Sequence, residues 1–210
     1  MTVTRYGMLI DLRNCIGCNA CTTACKISNG TPPGMFYSHV EKYEEGTYPN
    51  ANSHYVPVLC NHCENPTCVD VCPTGASHVD ENGVVCIDRD KCIGCRYCIT
   101  ACPYQARSFL SENIKGYFPD KGLTPQEEQL YKTFQKGTVY KCEFCKDKGY
   151  DATDEGPACV QTCPTHARIF GDLDDPDSDI SKKLAADNSY QLAPEYGTDP
   201  RVRYIARGVK

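Results

Sequence analysis

Residues 92–103 read CIGCRYCITACP, four thiols in eleven positions with a proline behind the last. Cys92, Cys95, Cys98 and Cys102 are spaced x2, x2, x3, and the pattern is not isolated. Cys15, Cys18, Cys21 and Cys25 form a first group with the same x2, x2, x3 spacing. A second group is Cys60, Cys63, Cys68 and Cys72, at x2, x4, x3. The stretch quoted is the third group, and Cys142, Cys145, Cys159 and Cys163, at x2, x13, x3, make the fourth. Groups two, three and four end in Cys-Pro, at Pro73, Pro103 and Pro164, whereas group one ends in Cys25-Lys26. Of 17 cysteines only Cys86 is left over.

Three chemistries compete for such thiols. Disulfides fit badly, because Cys-x-x-Cys runs within one loop make poor structural bridges. Zinc sites usually join one Cys-x2-Cys pair to a second pair. Three thiols at x2, x2 with a fourth at x3 is the ferredoxin run, in which the fourth cysteine serves the other cluster of a two-cluster unit. The spacing has a physical basis. Three close cysteines wrap a loop over three corners of an iron–sulfur cube, and Gly17 and Gly94 let that loop turn tightly and bring backbone N–H groups near sulfur. The x3 step then starts a helix that carries the last thiol away toward a second cube, and proline directs the chain out.

The groups are copies of one another. MLIDLRNCIGCNACTTAC (8–25) aligns without gaps to VCIDRDKCIGCRYCITAC (85–102), and ENPTCVDVCPTGA (64–76) aligns to EGPACVQTCPTHA (155–167). In group four an insertion, KDKGYDATD, widens the gap after Cys145. Groups two and three are close in sequence and read as one two-cluster unit, which leaves groups one and four to pair around it. The expected fold is therefore α+β, with two ferredoxin-like two-cluster halves, one inserted in the other, and long loop insertions. The outer half is expected over 1–59 plus 141–170 and the inner half over 60–103. An insertion is expected over 104–140, and 171–210 is a tail packing on the core or a partner. Exchanging the last cysteine within each pair gives four ligand sets. Set A is Cys15, Cys18, Cys21 and Cys163; set B is Cys142, Cys145, Cys159 and Cys25. Set C is Cys60, Cys63, Cys68 and Cys102; set D is Cys92, Cys95, Cys98 and Cys72. Four complete sets imply four [4Fe–4S] clusters and no three-iron variant.

Composition sets further bounds. The chain has 210 residues, 14 Pro, 16 Gly, 3 Met and no Trp, which leaves little apolar side chain for a core, so something covalent or inorganic must supply cohesion. A net charge of −5 argues against nucleic acid as a partner. No apolar run approaches the roughly 18 residues a membrane span needs. MTVTRYGMLIDLRNC lacks the order of a signal peptide, so no export signal or anchor of its own is expected. GMLID (7–11) and GVVCID (83–88) read as short strands feeding the cysteine loops, and TTACKIS (22–28) and ITACPYQA (99–106) as helical turns. TPQEEQLYKTFQ (124–135) reads as a capped surface helix, 26–59 and 104–140 as long insertions, GDLDDPDSD (171–179) as an acidic turn, and LAPEYGTDPRVRYI (192–205) as a tail ending in an edge strand.

CIGCRYCITACPY, CNHCENPTCVDVCPTGA, CEFC and ACVQTCPTHARIFGDLDDP, together with the closing PEYGTDPRVRYI, resemble the four-cluster iron–sulfur subunit of DMSO-reductase-family molybdoenzymes. Polysulfide, thiosulfate, DMSO and arsenate respiratory reductases have such subunits. The resemblance covers nearly the whole chain and implies an electron-transfer subunit. Its partner would be a large catalytic subunit holding molybdenum (or tungsten) on two pterins. It further implies a quinol-oxidising membrane subunit as a second partner, and a membrane-associated location on the periplasmic side by co-export, with the cytoplasm as the alternative. Formate dehydrogenase relatives carry a C-terminal membrane helix, and this chain departs from them there.

Several single residues have ordinary roles that compete with functional ones. Cys86 reads as a buried small hydrophobe. His62, inside group two, is either a donor to a cluster or a structural histidine. His39, His54 and His78 are scattered without metal spacing. His166 stands where the copy has Gly75, next to set A. Lys26, Lys91, Arg96, Lys141 and Lys146 flank ligands, as counter-charges or as solvated bases. The 14 tyrosines read as packing and interface groups. No nucleophile–base pair, G-x-G-x-x-G or phosphate loop is present, so no independent catalytic site is expected. The competing readings are a free soluble polyferredoxin and a zinc-stapled interaction protein.

Overall fold

The computed structural model describes residues 4–111, 114–118, 120–148 and 156–208. In chain order the elements are β1 (Tyr6–Asp11), α1 (Ala20–Asn29), β2 (Ser38–Glu45), β3 (Asn52–Leu59), α2 (Thr67–Asp70), β4 (Ser77–Val79), β5 (Val85–Ile87) and α3 (Tyr97–Thr100). They continue with β6 (Arg107–Phe109), α4 (Pro125–Leu130), β7 (Val139–Lys141), α5 (Ala158–Gln161), β8 (Arg168–Asp172), α6 (Asp179–Ala186), β9 (Ser189–Tyr190) and β10 (Val202–Ile205). The fold is thus mixed, with short helices and small sheets. Much of the segment inserted after Cys145 lies outside the described residues.

The organising sheet runs β8-β1-β10-β9. β1 is an inner strand, antiparallel to β8 (Met8 opposite Phe170) and parallel to β10 (Met8 opposite Val202). Its residues from Gly7 to Asp11 are all buried, the pattern of a strand covered on both faces. Met8, Ile10, Val202 and Tyr204 face a core that also holds Cys21, Cys25, Cys60, Cys142 and Cys159. Leu9 and Ile205 face the other way, onto Ile180 of α6. The apolar core is thin, and thiols fill part of it.

Two expectations need correction. The terminal strand is not at an edge, because β10 lies between β1 and β9. The tail therefore supplies two strands and the helix covering the sheet's second face. The helix expected over 124–135 stops at Leu130 and tightens into a single 3-10 turn over Tyr131–Thr133. Its start is as the sequence suggests: Thr124 accepts from the Glu127 N–H at 3.3 Å, and the Glu127 carboxylate accepts from the Thr124 N–H at 2.7 Å. The 26–59 insertion holds a regular hairpin, β2 against β3, with Ser38 opposite Leu59 and Glu45 opposite Asn52. Tyr204 ties this hairpin to the main sheet by donating its hydroxyl to the Pro57 carbonyl at 2.9 Å.

The sheet gives a stability expectation. Ile10→Ala should lower stability by about 2–5 kcal/mol, because it opens a cavity at a fully buried site. Tyr204→Phe, which loses one hydrogen bond, should cost about 1 kcal/mol. Urea midpoints of the metal-loaded chain would order the two; equal midpoints would contradict the inner position of β1.

Candidate metal centres

The x3 step explains how each group reaches two places. Cys21 and Cys25 lie four residues apart on α1, so one helical turn separates them by about 6 Å along the axis. Cys98 on α3, Cys68 on α2 and Cys159 on α5 begin equivalent turns that deliver Cys102, Cys72 and Cys163. Each turn thus shows one thiol at either end.

Three cavities collect these thiols. Cys15, Cys18, Cys21 and Cys163 line one with an empty volume of ≈ 330 Å³. Cys25, Cys142, Cys145 and Cys159 line a second of ≈ 350 Å³. Cys72, Cys92, Cys95 and Cys98 line a third of ≈ 290 Å³. In each, three cysteines come from one group and the fourth from its mate. The remaining four are neighbours too: burial pushes the Cys63 thiol up to about 12, Thr198 opposes that, and Cys60, Cys68 and Cys102 add to it. Each of these fours thus lies around one place in the structure.

The loops share a backbone geometry that matches their repeats. Gly17 and Gly94 both have positive φ (68° and 67°), as do Asn19 and Arg96 two residues on (62° and 65°). His62 and Phe144, at equal positions in CNHC and CEFC, also have positive φ (44° and 52°). Their rings stack at 3.8 Å between centroids, which joins the loop of set C to that of set B. Cys60 is among the thiols near Cys142, across the same junction.

Electrostatics at these thiols is dominated by burial. It pushes Cys25 up to about 12 and raises Cys142 and Cys159 as well. Cys72 and Cys163 differ. Burial works against their thiolates, but hydrogen bonds, led by the N–H groups of Ser77 and Ala167, each 3.3 Å from the sulfur, outweigh it and lower both. Buried thiolates need positive charge nearby, and iron would supply it. Orphaned polar atoms point the same way. Among the described residues, buried side-chain atoms without a partner are Thr22 Oγ1, both amide atoms of Asn61, His62 Nε2 and Arg89 Nε. Thr22 lies between Cys21 and Cys25, and Asn61 and His62 lie between Cys60 and Cys63, so most of these atoms are on residues flanked by cysteines. His62 accepts from the Val85 N–H at Nδ1 (3.2 Å), and burial, with Lys141 nearby, pushes its pKa well below the ordinary value. The ring is then neutral with its proton on Nε2, a donor that sulfide could receive. Among the described residues no three His, Cys, Asp or Glu side chains converge tightly enough for a single ion. Thiols standing apart around a cavity fit a cube with one thiolate per iron better than a lone zinc.

Most flanking bases have other work. Lys26 donates to the Met35 carbonyl at 2.8 Å, Lys91 pairs with Asp88 at 3.0 Å and Lys146 with Asp80 at 2.8 Å, while Arg96 lies 3.8 Å over the Phe109 ring. Lys141 is buried on the carbonyls of Val85 and Cys142. Two basic residues escape the sequence reading: Arg107 and Arg168 are both buried, and each donates to a cysteine sulfur. Their common offset, five residues after Cys102 and Cys163, is visible in the repeats. Cys86 is buried and donates to the Val84 carbonyl at 3.3 Å, as a small core residue would. His39 pairs with Glu41, His54 with Glu45, and His78 contacts the Ala76 carbonyl, all locally. His166 is exposed.

Profiles of the 4Fe-4S dicluster domain match residues 14–76, 51–115 and 84–164. The chain is 41% identical to the arsenate respiratory reductase iron-sulfur subunit ArrB of Shewanella sp. (strain ANA-3), over 98% of each chain. It is 43% identical to a putative dimethyl sulfoxide reductase iron-sulfur subunit of Halobacterium salinarum, over 97% of this chain and 79% of that one. It is 42% identical to the thiosulfate reductase electron transfer subunit PhsB of Salmonella typhi, over 89% of this chain and 85% of that one.

Gly17 and Gly94 should tolerate no side chain. A Cβ at Gly17 would meet the Tyr55 ring and one at Gly94 the Gly137 carbonyl, whereas one at Gly208 would meet open space without a left-handed backbone. Gly17→Ala and Gly94→Ala are each expected to lose the iron of one cavity, with Gly208→Ala unchanged, by iron and acid-labile sulfide analysis. Full iron in both variants would show that the tight loops are not needed.

Proposed function

The chain belongs to the family of iron–sulfur electron-transfer subunits of multi-subunit molybdoenzyme reductases, and on that premise we propose that its sixteen grouped cysteines hold four [4Fe–4S] clusters as sets A, B, C and D. The observation that carries this reading is the crossed gathering of thiols, three from one group with the last of its mate. It supports two ferredoxin-like halves, with the half over 60–103 inserted into the half over 1–59 and 141–170. When bound, each cluster supplies a one-electron redox centre whose potential depends on burial, charge and hydrogen bonds to sulfur.

Adjacency supports the order A–B–C–D. Sets A and B share α1 and the α5 turn; sets C and D share the α2 and α3 turns. His62 against Phe144 joins B to C. All four cysteines of set B are buried, while Cys18 of set A and Cys95 of set D are exposed. Ile16 and Ile93, 59% and 67% exposed, stand beside them, so each end of the row has an apolar surface at which a partner can exclude water. The residues hold the centres rigidly and shield the middle of the row.

The partners we propose are a large molybdenum (or tungsten) bis-pterin catalytic subunit at one end and a quinol-oxidising membrane subunit or other carrier at the other. No helix among the described residues is long and apolar enough to cross a membrane, so attachment would run through those partners. Resemblance alone supports the periplasmic side, reached by co-export; protease access in spheroplasts would separate it from the cytoplasmic alternative.

Anaerobically purified protein should contain four irons and four sulfides for each of four clusters and should co-elute with a large molybdenum- or tungsten-containing chain. A zinc-loaded, colourless protein, or a brown one eluting alone from native extract, would defeat the proposal. Cys25→Ser should alter the EPR signal that Cys142→Ser also alters. If it instead tracks Cys18→Ser, the crossed sets are wrong.

A further inference from the structure

Arg107 and Arg168 occupy the same place in their repeats and do the same thing. They are 6% and 3% exposed, and neither has a carboxylate partner among the described residues, although Arg5, Arg13, Arg89 and Arg201 all do. Arg107 donates from Nη2 to Cys68 Sγ at 2.8 Å and from Nη1 to Ser77 Oγ at 2.9 Å. Cys68 is in set C, and the Ser77 N–H in turn donates to Cys72 of set D. Arg168 donates from Nη1 to Cys159 Sγ of set B at 3.6 Å and from Nη2 to Ser38 Oγ at 2.9 Å, with Met8 Sδ 3.7 Å from Nη1. The same side chain lines the cavity of set A. At the matching offset group one has Gly30 and group two has Ser77, so each half owns a single arginine.

A guanidinium stays charged at any working pH, and buried without a carboxylate it needs negative charge from elsewhere. For these two the nearest source is cysteine sulfur. We propose that Arg168 is the shared counter-charge of sets A and B, and Arg107 that of sets C and D, each raising the reduction potentials of both neighbours. The inference rests on the reading that these sets hold [4Fe–4S] clusters. Reduction adds one negative charge to a cluster, and a fixed cation at low dielectric stabilises the reduced form more than the oxidised one. A hydrogen bond to a thiolate sulfur acts in the same direction. Reach over both sets is visible in the geometry: Arg168 bonds Cys159 of set B and lines the cavity of set A, while Arg107 bonds Cys68 of set C and grips Ser77, which lines the cavity of set D and meets Cys72 there. These are positioning residues; neither is a ligand.

The test is anaerobic potentiometric titration of the full chain, followed by EPR, in wild type, R168Q, R168K, R107Q and R107K. Signals are assigned with the single-cysteine variants, and iron and acid-labile sulfide are measured in every sample. R168Q is expected to move the potentials of sets A and B downward and leave C and D in place; R107Q should do the reverse. Each lysine variant should stay close to wild type, because it keeps the charge. Unchanged potentials in an iron-replete glutamine variant would overturn the proposal, as would equal shifts in all four signals. Iron loss from both the glutamine and the lysine variant at one site would also overturn it, by marking that arginine as structural. Absence of acid-labile sulfide from the wild type would instead sink the cluster reading itself.

Discussion

One turn of helix sets two side chains four residues apart on one face, a fixed step along its axis. Everything in this chain follows from repeating that step. Cys21 and Cys25, Cys68 and Cys72, Cys98 and Cys102, and Cys159 and Cys163 each sit across such a turn, so each group holds its last thiol one step away from the third. In three cavities that last thiol lies beside three thiols of another group. β1 leads into group one and β8 leads away from group four, and the two strands pair with each other. Their antiparallel register brings the ends of the chain that carry the first and fourth groups side by side.

The second theme is charge. A chain with a net charge of −5 nonetheless buries two arginines and a lysine away from carboxylates. In an apolar core that arrangement would be destabilising. Here the arginines face sulfur. The unpartnered polar atoms at Thr22, Asn61 and His62 belong to the same picture, because all three residues lie between cysteines. Cations and spare donors together describe interior surfaces shaped for something strongly negative.

Much of this is legible in the sequence and some is not, for physical reasons. The groups, their mates and the strands of GMLID and GVVCID are visible because cysteine spacing is a stringent pattern and because continuous apolar runs mark covered strands. The β2–β3 hairpin hides in its insertion because SHVEKYEE is too charged to show a buried face; its outer half is exposed. α6 goes unread, starting at the last residue of the acidic turn, since only Ser178 and a single fully buried Ile180 announce it. β10 reads as an edge because nothing in VRYI reveals that β9, two residues long, covers its far side. Arg107 and Arg168 are overshadowed by bases nearer the ligands in sequence. Proximity along the chain is a poor guide here, since Lys26, Lys91 and Lys146 turn to partners of their own.

The pairing of β1 with β8, strands from opposite ends of the chain, has a consequence for biosynthesis. On the proposed ligand sets, C and D draw only on residues 60 to 102, whereas A and B both need thiols from each end, the last of them Cys163. During translation the inner thiols are therefore complete while the outer ones still wait for the nascent polypeptide to reach its fourth group. On that assignment the inner sets can fill first, and a chain arrested before Cys142 would leave Cys15, Cys18, Cys21 and Cys25 with no mates to meet.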